Sequence, residues 1–495
     1  MRKIAKSIVI IGAGMAGLAA GCYGQMNGYR TKIFELHDLP GGLCTSWLRK
    51  GYVFDGCIHW LVGSSPANNF YRVWEELGAV QGRQMINHEE FFRIESKDGK
   101  ALIMYTDADR LEAHLKELAP EDANTIDELA GLIRKFASVQ VPIGGGLLEN
   151  LKIMGKMLPL LKYFRQYGKL SVKGFAGRFQ NPFLRESFTA IFNMPDFPML
   201  ALLMTLGFQH RKAAGYPLGG SLNFAKAVES RYLQLGGDIR YKARVTEIIT
   251  ENNRAVGVRL ADGTEHRADA VISAADGHAT IFEMLKGQYL DDEIQRNYRE
   301  LPIFQPIIQV SLGVGRDFSA EPHNLTYPVS EPLSIAGELH PTISMKHYCY
   351  DPTLAPPGKS ALVISFVSNY AYWQKLGYGS EAYRAEKEKI LAQVIAALEQ
   401  RFPGSKDQVE VSDVATPLTY ERYTGNWQGS MEGWLITTAT LRKKISDTLP
   451  GLKNFYMIGQ WVHPGGGLPP AAKSGRDIVK KICQEDGRKF STSTP

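Results

Sequence analysis

At 495 residues, 44% hydrophobic and 22% charged, the chain is long enough for two or more domains and has an ordinary globular composition. Its formal net charge of +6 is modest for that length and does not argue for nucleic acid; no nucleic-acid module occurs. The five cysteines (Cys22, Cys44, Cys57, Cys349, Cys483) are dispersed and odd in number, with no metal-ligand spacing. They indicate neither a disulfide framework nor a metal site, and fit a reducing cytoplasm.

Ser7-Ile8-Val9-Ile10-Ile11 is a short β-branched run that leads into Gly12-Ala13-Gly14-Met15-Ala16-Gly17. Arg2, Lys3 and Lys6 ahead of an apolar run could pass for a signal peptide, but that run is needed as the first strand. An Ala- and Gly-rich helix-like stretch runs to Met26, and a second strand, Thr31–Phe34, ends in Glu35, 23 positions after Gly12. Strand, glycine turn, helix, strand and acid together predict a dinucleotide-binding βαβ unit. Gly12 makes the tight turn, Gly14 lets the backbone approach a pyrophosphate, and Gly17 lets the helix pack on the sheet. The helix N-terminus supplies unpaired N–H groups, and Glu35 accepts from a ribose.

Gly41-Gly42 brings backbone close to the same ligand. Gly51–Trp60 alternates like a strand running into a tight loop, with a surface hairpin as the plain alternative. Glu90–Ile94 and Ala101–Tyr105 read as paired strands around Asp98-Gly99; Leu111–Leu118 and Thr125–Phe136 read as helices. From 144 to 178, Leu147, Leu148, Leu151, Met154, Leu158 and Leu161 recur at helical spacing, and Pro159 should kink the helix. Lys152, Lys156, Lys162, Arg165, Lys169, Lys173 and Arg178 stand there against a single acid, Glu149. A broad apolar face with a basic edge suits a peripheral membrane contact, a lid over an apolar pocket, or a core helix with solvated lysines. Pro198–Phe208 is apolar but too short to span a bilayer.

Tyr216-Pro217-Leu218-Gly219-Gly220 opens a second α/β block: a helix over Ser221–Leu235, β-like runs through Leu260 with a turn at Glu251-Asn252-Asn253, and an apolar strand ending at Asp276. Mixed structure follows to Pro357, then a strand at Ala361–Val367 and a helix at Glu381–Glu399. At the C-terminus a strand ends in Gly459-Gln460, and the loop Trp461–Pro470 leads into a helix over Ala471–Cys483. A helix N-terminus behind three glycines is a second anion site. The expected fold class is α/β, a Rossmann-type FAD-binding domain interleaved with a mixed α+β substrate domain. The first takes residues 1–70, 210–290 and 440–490; the second takes 71–209 and 291–439.

In this order, the opening unit, Gly41-Gly42, Asp55-Gly56-Cys57-Ile58-His59-Trp60, Tyr216–Gly220, Val271–Asp276 and Gly459–Leu468 resemble the FAD-dependent phytoene desaturase, carotenoid isomerase and retinol saturase family. That family belongs to the wider amine-oxidase-like flavoprotein group, and the resemblance spans nearly the whole chain. It implies FAD held by Gly12–Gly17 on the pyrophosphate and by Glu35, with Leu36, on the adenosine ribose. It also places Gly41, Gly42 and Leu43 at the cofactor, and Val245 at the adenine through its backbone. Cys57, Ile58 and His59 would run beside the isoalloxazine ring, and Gly459, Gln460, Gly467 and Leu468 would hold the ribityl and pyrimidine side. Many relatives have an arginine where this chain has Leu43, and an acid where it has Gln460; glutamine still bonds a hydroxyl but brings no charge.

The implied activity is desaturation or saturation of C–C bonds by hydride transfer at flavin N5, on an isoprenoid, carotenoid-like or other lipophilic substrate. His59, Trp461 and His463 are the candidates nearest the chemistry, with Glu432 a weaker acid–base candidate. A redox-neutral polyene isomerase and an amine oxidase are the enzymatic alternatives; a prenyl-lipid-binding escort protein without flavin is the non-enzymatic one.

Overall fold

The computed structural model describes residues 5–140, 143, 155 and 157–495. Its first layer is a five-stranded parallel sheet with helices beside it. The labelled elements are β1 (Ser7–Ile11), α1 (Met15–Met26), β2 (Arg30–Phe34), α2 (Gly220–Gln234), β3 (Asp238–Arg240), β4 (Ala270–Ser273), β5 (Phe455–Met457) and α3 (Leu468–Glu485). The strand order is β5-β4-β1-β2-β3, every pair parallel. Ile8 to Ile11 are all buried, as expected of a parallel strand covered on both faces. Helix α3 approaches α1 closely because Gly475 has no Cβ; one there would lie 2.5 Å from the Ala16 carbonyl oxygen and 2.7 Å from Ala20 N. An antiparallel ribbon (Val245–Glu251, Arg254–Leu260, Glu265–Arg267) stands beside this sheet. Its first turn carries Asn252 and Asn253, both at positive φ, as a tight hairpin requires.

The second layer is a mixed seven-stranded sheet in the order Val409–Ala415, Ile307–Val314, Ser360–Val367, Glu338–His347, Asn324–Ile335, Glu90–Glu95, Ala101–Tyr105. One face packs Leu325, Met345, Leu362 and Ile364 in a core with Ile390 and Val394 of the helix Glu381–Arg401. The other face turns toward the parallel sheet, with Val363 and Tyr348 in the cofactor-side core. The long hairpin Asn324–His347 was not legible as strands, because Pro328, Pro332 and Pro341 interrupt it. The pairing register shifts between Pro328 and Leu333, which accommodates two of the three.

Helices from Ala108 to His210 form a third lobe around Leu111, Leu129, Phe136, Phe175 and Leu203. The Pro159 kink takes the form of a 3₁₀ turn, Leu158–Leu160, ahead of the helix Leu161–Tyr167. Leu147, Leu148, Glu149, Leu151, Lys152, Met154 and Lys156 lie outside the described residues. Among the described residues, no helix is long and apolar enough to cross a membrane.

Candidate active site

A cleft of about 580 Å³ opens at the C-terminal end of the parallel sheet. At its floor, β1 ends in Gly12, whose φ of 95° only glycine adopts readily. Gly12, Gly14, Met15 and Ala16 line the cleft, and a Cβ on Gly14 would meet nothing within 4 Å, because it would point into open cleft. Helix α1 starts at Gly14 with no side-chain cap and no acid in its first turn. Its first-turn N–H groups therefore face the cleft without an internal acceptor, which fits a pyrophosphate. Ala13 and Gly17 do not line the cleft. Ala13 N donates to Glu35 Oε2 (2.6 Å), and Gly17 packs against Gly12 and Ala274.

Glu35 ends β2 with its second oxygen accepting from His37 N (2.8 Å). Burial raises its pKa, and these backbone N–H bonds oppose the rise. Each oxygen keeps acceptor capacity for a ribose hydroxyl. Leu36, Gly41, Gly42, Leu43 and Val245 line the same end, Gly41 and Gly42 at positive φ (104° and 60°). Residues that sequence reasoning did not single out also line it: Arg244, Thr246, Glu283, Thr424 and Asn426. Arg244 and Asn426 stand just outside regular elements, Thr246 in the strand Val245–Glu251, Glu283 in the helical turn Ala279–Met284 and Thr424 at the end of the helix Pro417–Thr424, so no single periodicity marks them.

The far end is built by Cys57, Glu432, Gly459, Gln460, Trp461, Gly467 and Leu468. Gly467 N-caps α3 at φ 85°, but Pro469 and Pro470 occupy the first turn, and Ala471 N already bonds Gly467 O (3.2 Å). The second anion site thus offers fewer N–H donors than α1, since proline has none. Trp461 is 2% exposed within an aromatic cluster with Tyr298, Trp427 and Trp434, and among the described residues its Nε1 has no partner. It is a rigid wall carrying one spare donor. His463 does not line the cleft; Lys473, Asp477 and Asp447 are its charged neighbours.

Ile58 is buried and His59 is not among the cleft-lining residues. His59 keeps accessible surface although protein atoms surround it. Burial holds its imidazole well below the usual range, assisted by the Lys346 charge, so it is neutral there.

Glu432 has no hydrogen bond among the described residues, and burial alone pushes its carboxyl from 4.5 up to about 7. For an acid with a raised folded pKa, the stability is fully present below pH 4.5 and falls as the pH rises to about 7. Glu432→Gln should therefore raise the melting temperature of the FAD-free protein well above pH 7, and leave it unchanged at pH 4. Equal melting temperatures at both pH values would contradict a buried, unpaired carboxylate. Asp276, also raised to about 7 by burial, differs in having donors: Trp427 N and Ala279 N, each at 2.8 Å.

A parallel sheet with a glycine turn, an uncapped helix start, a buried acid at the end of β2 and a second glycine loop closing the far end fits an FAD-dependent oxidoreductase. When bound, FAD supplies the two-electron redox chemistry. The chain belongs to the Flavin containing amine oxidoreductase family, whose pattern matches residues 15–483. It is similar to a chloroplastic prolycopene isomerase of Arabidopsis thaliana (26% identical over 510 residues, 97% of this chain and 83% of that protein). It is also similar to a neurosporene-forming phytoene desaturase of Rhodobacter capsulatus (27% over 511 residues, 96% and 93%). Among solved structures, an oxidoreductase from Methanosarcina mazei shares the fold at a TM-score of 0.58 and 18% identity, covering 96% of this chain and 100% of that one.

Proposed function

We propose that the chain desaturates or saturates C–C bonds of an isoprenoid, carotenoid-like or other lipophilic substrate. The observation that carries this reading is the path of Cys57–Trp60. Cys57 lines the cofactor cleft, and three residues on Trp60 packs edge-on against Phe91 (5.0 Å) and stacks on Phe192 (5.8 Å), itself 5.3 Å from Phe197. One short loop thus joins the redox centre to an aromatic, apolar wall suited to a long hydrocarbon. Neutral His59 lies on that loop, and Glu432, Trp461 and Gln460 close the cofactor end. In this reading His59 and Glu432 hold or pass protons, Trp461 fixes the ring plane, and His463 takes no part.

A redox-neutral polyene isomerisation is the second reading, favoured by the similarity to prolycopene isomerase over 97% of the chain. Anaerobic incubation with carotenoids, retinoids and amines decides between them. The first reading expects flavin reduction or reoxidation with a product differing by one H2. An unchanged product mass with altered double-bond geometry favours isomerisation, and bleaching by amines alone overturns both. Leu158 and Leu161 are 64% and 52% exposed beside exposed Lys162 and Arg165, which supports peripheral membrane contact for delivery of such a substrate. Leu158→Glu with Leu161→Glu should abolish co-sedimentation with anionic vesicles; retained binding would remove this part of the reading.

A further inference from the structure

Glu432 lies in the tight loop Ser430-Met431-Glu432-Gly433, just after the 3₁₀ turn Trp427–Gly429. The loop is closed on itself: Gly433 N donates to Ser430 Oγ (3.1 Å), Ser430 Oγ donates to Gly433 O (3.1 Å), and Asn426 Nδ2 donates to Ser430 O (2.9 Å). It is also pressed against the late glycine loop. A Cβ on Gly466 would collide with Glu432 Cβ, and one on Gly433 would lie 2.8 Å from Gln460 O. Trp434 Nε1 donates to Trp461 O (2.9 Å) and Gly465 N donates to Trp434 O (3.1 Å), so the two loops are held as one wall. Rigid backbone, not a side-chain contact of its own, therefore places Glu432 beside Gln460 and Gly466.

From that wall Glu432 lines the cofactor cleft and keeps accessible surface. Among the described residues neither of its oxygens has a partner, and neither is closed off from solvent. The titratable groups facing the same cleft are Cys57 at this end, Asp276 and Glu283 after β4, Glu421 on the helix Pro417–Thr424, and Glu35 and Arg244 at the adenosine end. Among the described residues Arg244 is the only cation lining the cleft, and it adjoins Val245. None of these groups moves the Glu432 carboxyl; burial alone does, up to about 7, and burial favours the uncharged acid. A carboxylate with no donor and no cation is costly in such a place, whereas an acid needs only an acceptor for its O–H. The edge of a flavin ring carries carbonyl oxygens and ring nitrogens, which are acceptors.

We propose that Glu432 is a cofactor-binding acid, which meets the flavin end of FAD in its protonated form and donates its O–H to it. FAD binding and proton binding are then coupled, whichever substrate the protein acts on, so the inference stands apart from the C–C bond reading. The sign follows from linkage. A carboxyl that holds its proton more tightly in the loaded protein favours loading at low pH. FAD affinity should be full below about pH 7, where Glu432 already carries its proton, and should fall as the pH rises above that value.

Dilution of the FAD-loaded protein at pH values from 6 to 9 tests it, with released flavin read by its fluorescence and the fold followed by circular dichroism. The dissociation constant should rise about tenfold or more between pH 7 and pH 9, since each pH unit past the pKa of the free site costs up to about tenfold. Glu432→Gln keeps an N–H donor that does not titrate; it should hold flavin across the range with no such rise. Glu432→Leu has no donor and should release flavin at pH 6 as readily as the unsubstituted protein does at pH 9. Release that does not change with pH in the unsubstituted protein overturns the assignment. Release that is greater at pH 6 also overturns it, because the carboxylate would then be accepting from the cofactor. An unchanged pH profile in Glu432→Gln overturns it as well and moves the effect to Asp276, whose carboxyl burial raises into the same range. If Glu432→Gln fails to load, the unsubstituted series and Glu432→Leu decide.

Discussion

Gly17→Ala should leave the protein without flavin. A Cβ at position 17 would fall inside the van der Waals radius of the Gly12 carbonyl oxygen, 3.1 Å from the Gly12 carbon and 3.2 Å from Ala274 Cβ. These neighbours are backbone and β4-end atoms that cannot swing aside, so the glycine turn itself must move. Overpacking of this kind costs about 1–3 kcal/mol or more. Because the displaced turn is the proposed pyrophosphate cradle, we expect the yellow absorbance band to be lost together with a lowered melting temperature. Gly14→Ala is the contrasting case: open space surrounds the new methyl, so the fold should keep its melting temperature without cofactor while FAD affinity falls. If both variants retain equal flavin, the cradle has been wrongly placed.

Asp55→Ala is the second large effect. Its carboxylate caps the start of α2, where Gly219 and Gly220 adopt φ of 99° and 74°, and ties that helix to the Cys57 loop. Truncation strands Ser221 N, Ser221 Oγ and Cys57 N in a buried site. It should cost about 3–5 kcal/mol in denaturant unfolding and displace the loop at the far end of the cleft. Asp55→Asn keeps an acceptor and should lose less. A loss below about 1 kcal/mol for the alanine variant would mean that water replaces the carboxylate.

Both residues were visible in the sequence in different ways. Gly17 was assigned a packing role from the motif alone, because glycine spacing in a βαβ unit is local. Asp55 stood inside a quoted motif, but its role depends on Ser221, 166 positions later, and no periodicity reports such a partner. The same division holds elsewhere. The βαβ unit, the Glu90–Tyr105 hairpin, α2 and α3 were legible because each carries its own apolar period and punctuation. The Asn324–His347 hairpin was not: its prolines read as loop, and only the bulge shows how a sheet accommodates them. His463, also beside a glycine loop, is not among the residues that line the cleft.

The parallel sheet joins β1 to β4 and β4 to β5, so residues 7–11 wait for residues 455–457 before that sheet is complete. During synthesis the glycine turn emerges well before Gly459–Leu468, the other wall of the cleft. A cleft walled at both ends therefore exists only once that later loop has emerged, and a chain cut before Phe455 would hold half of it. Such long-range pairing slows folding, and a ligand bound only by the finished cleft draws the equilibrium toward it. Flavin supply during expression should thus govern yield as much as it governs activity.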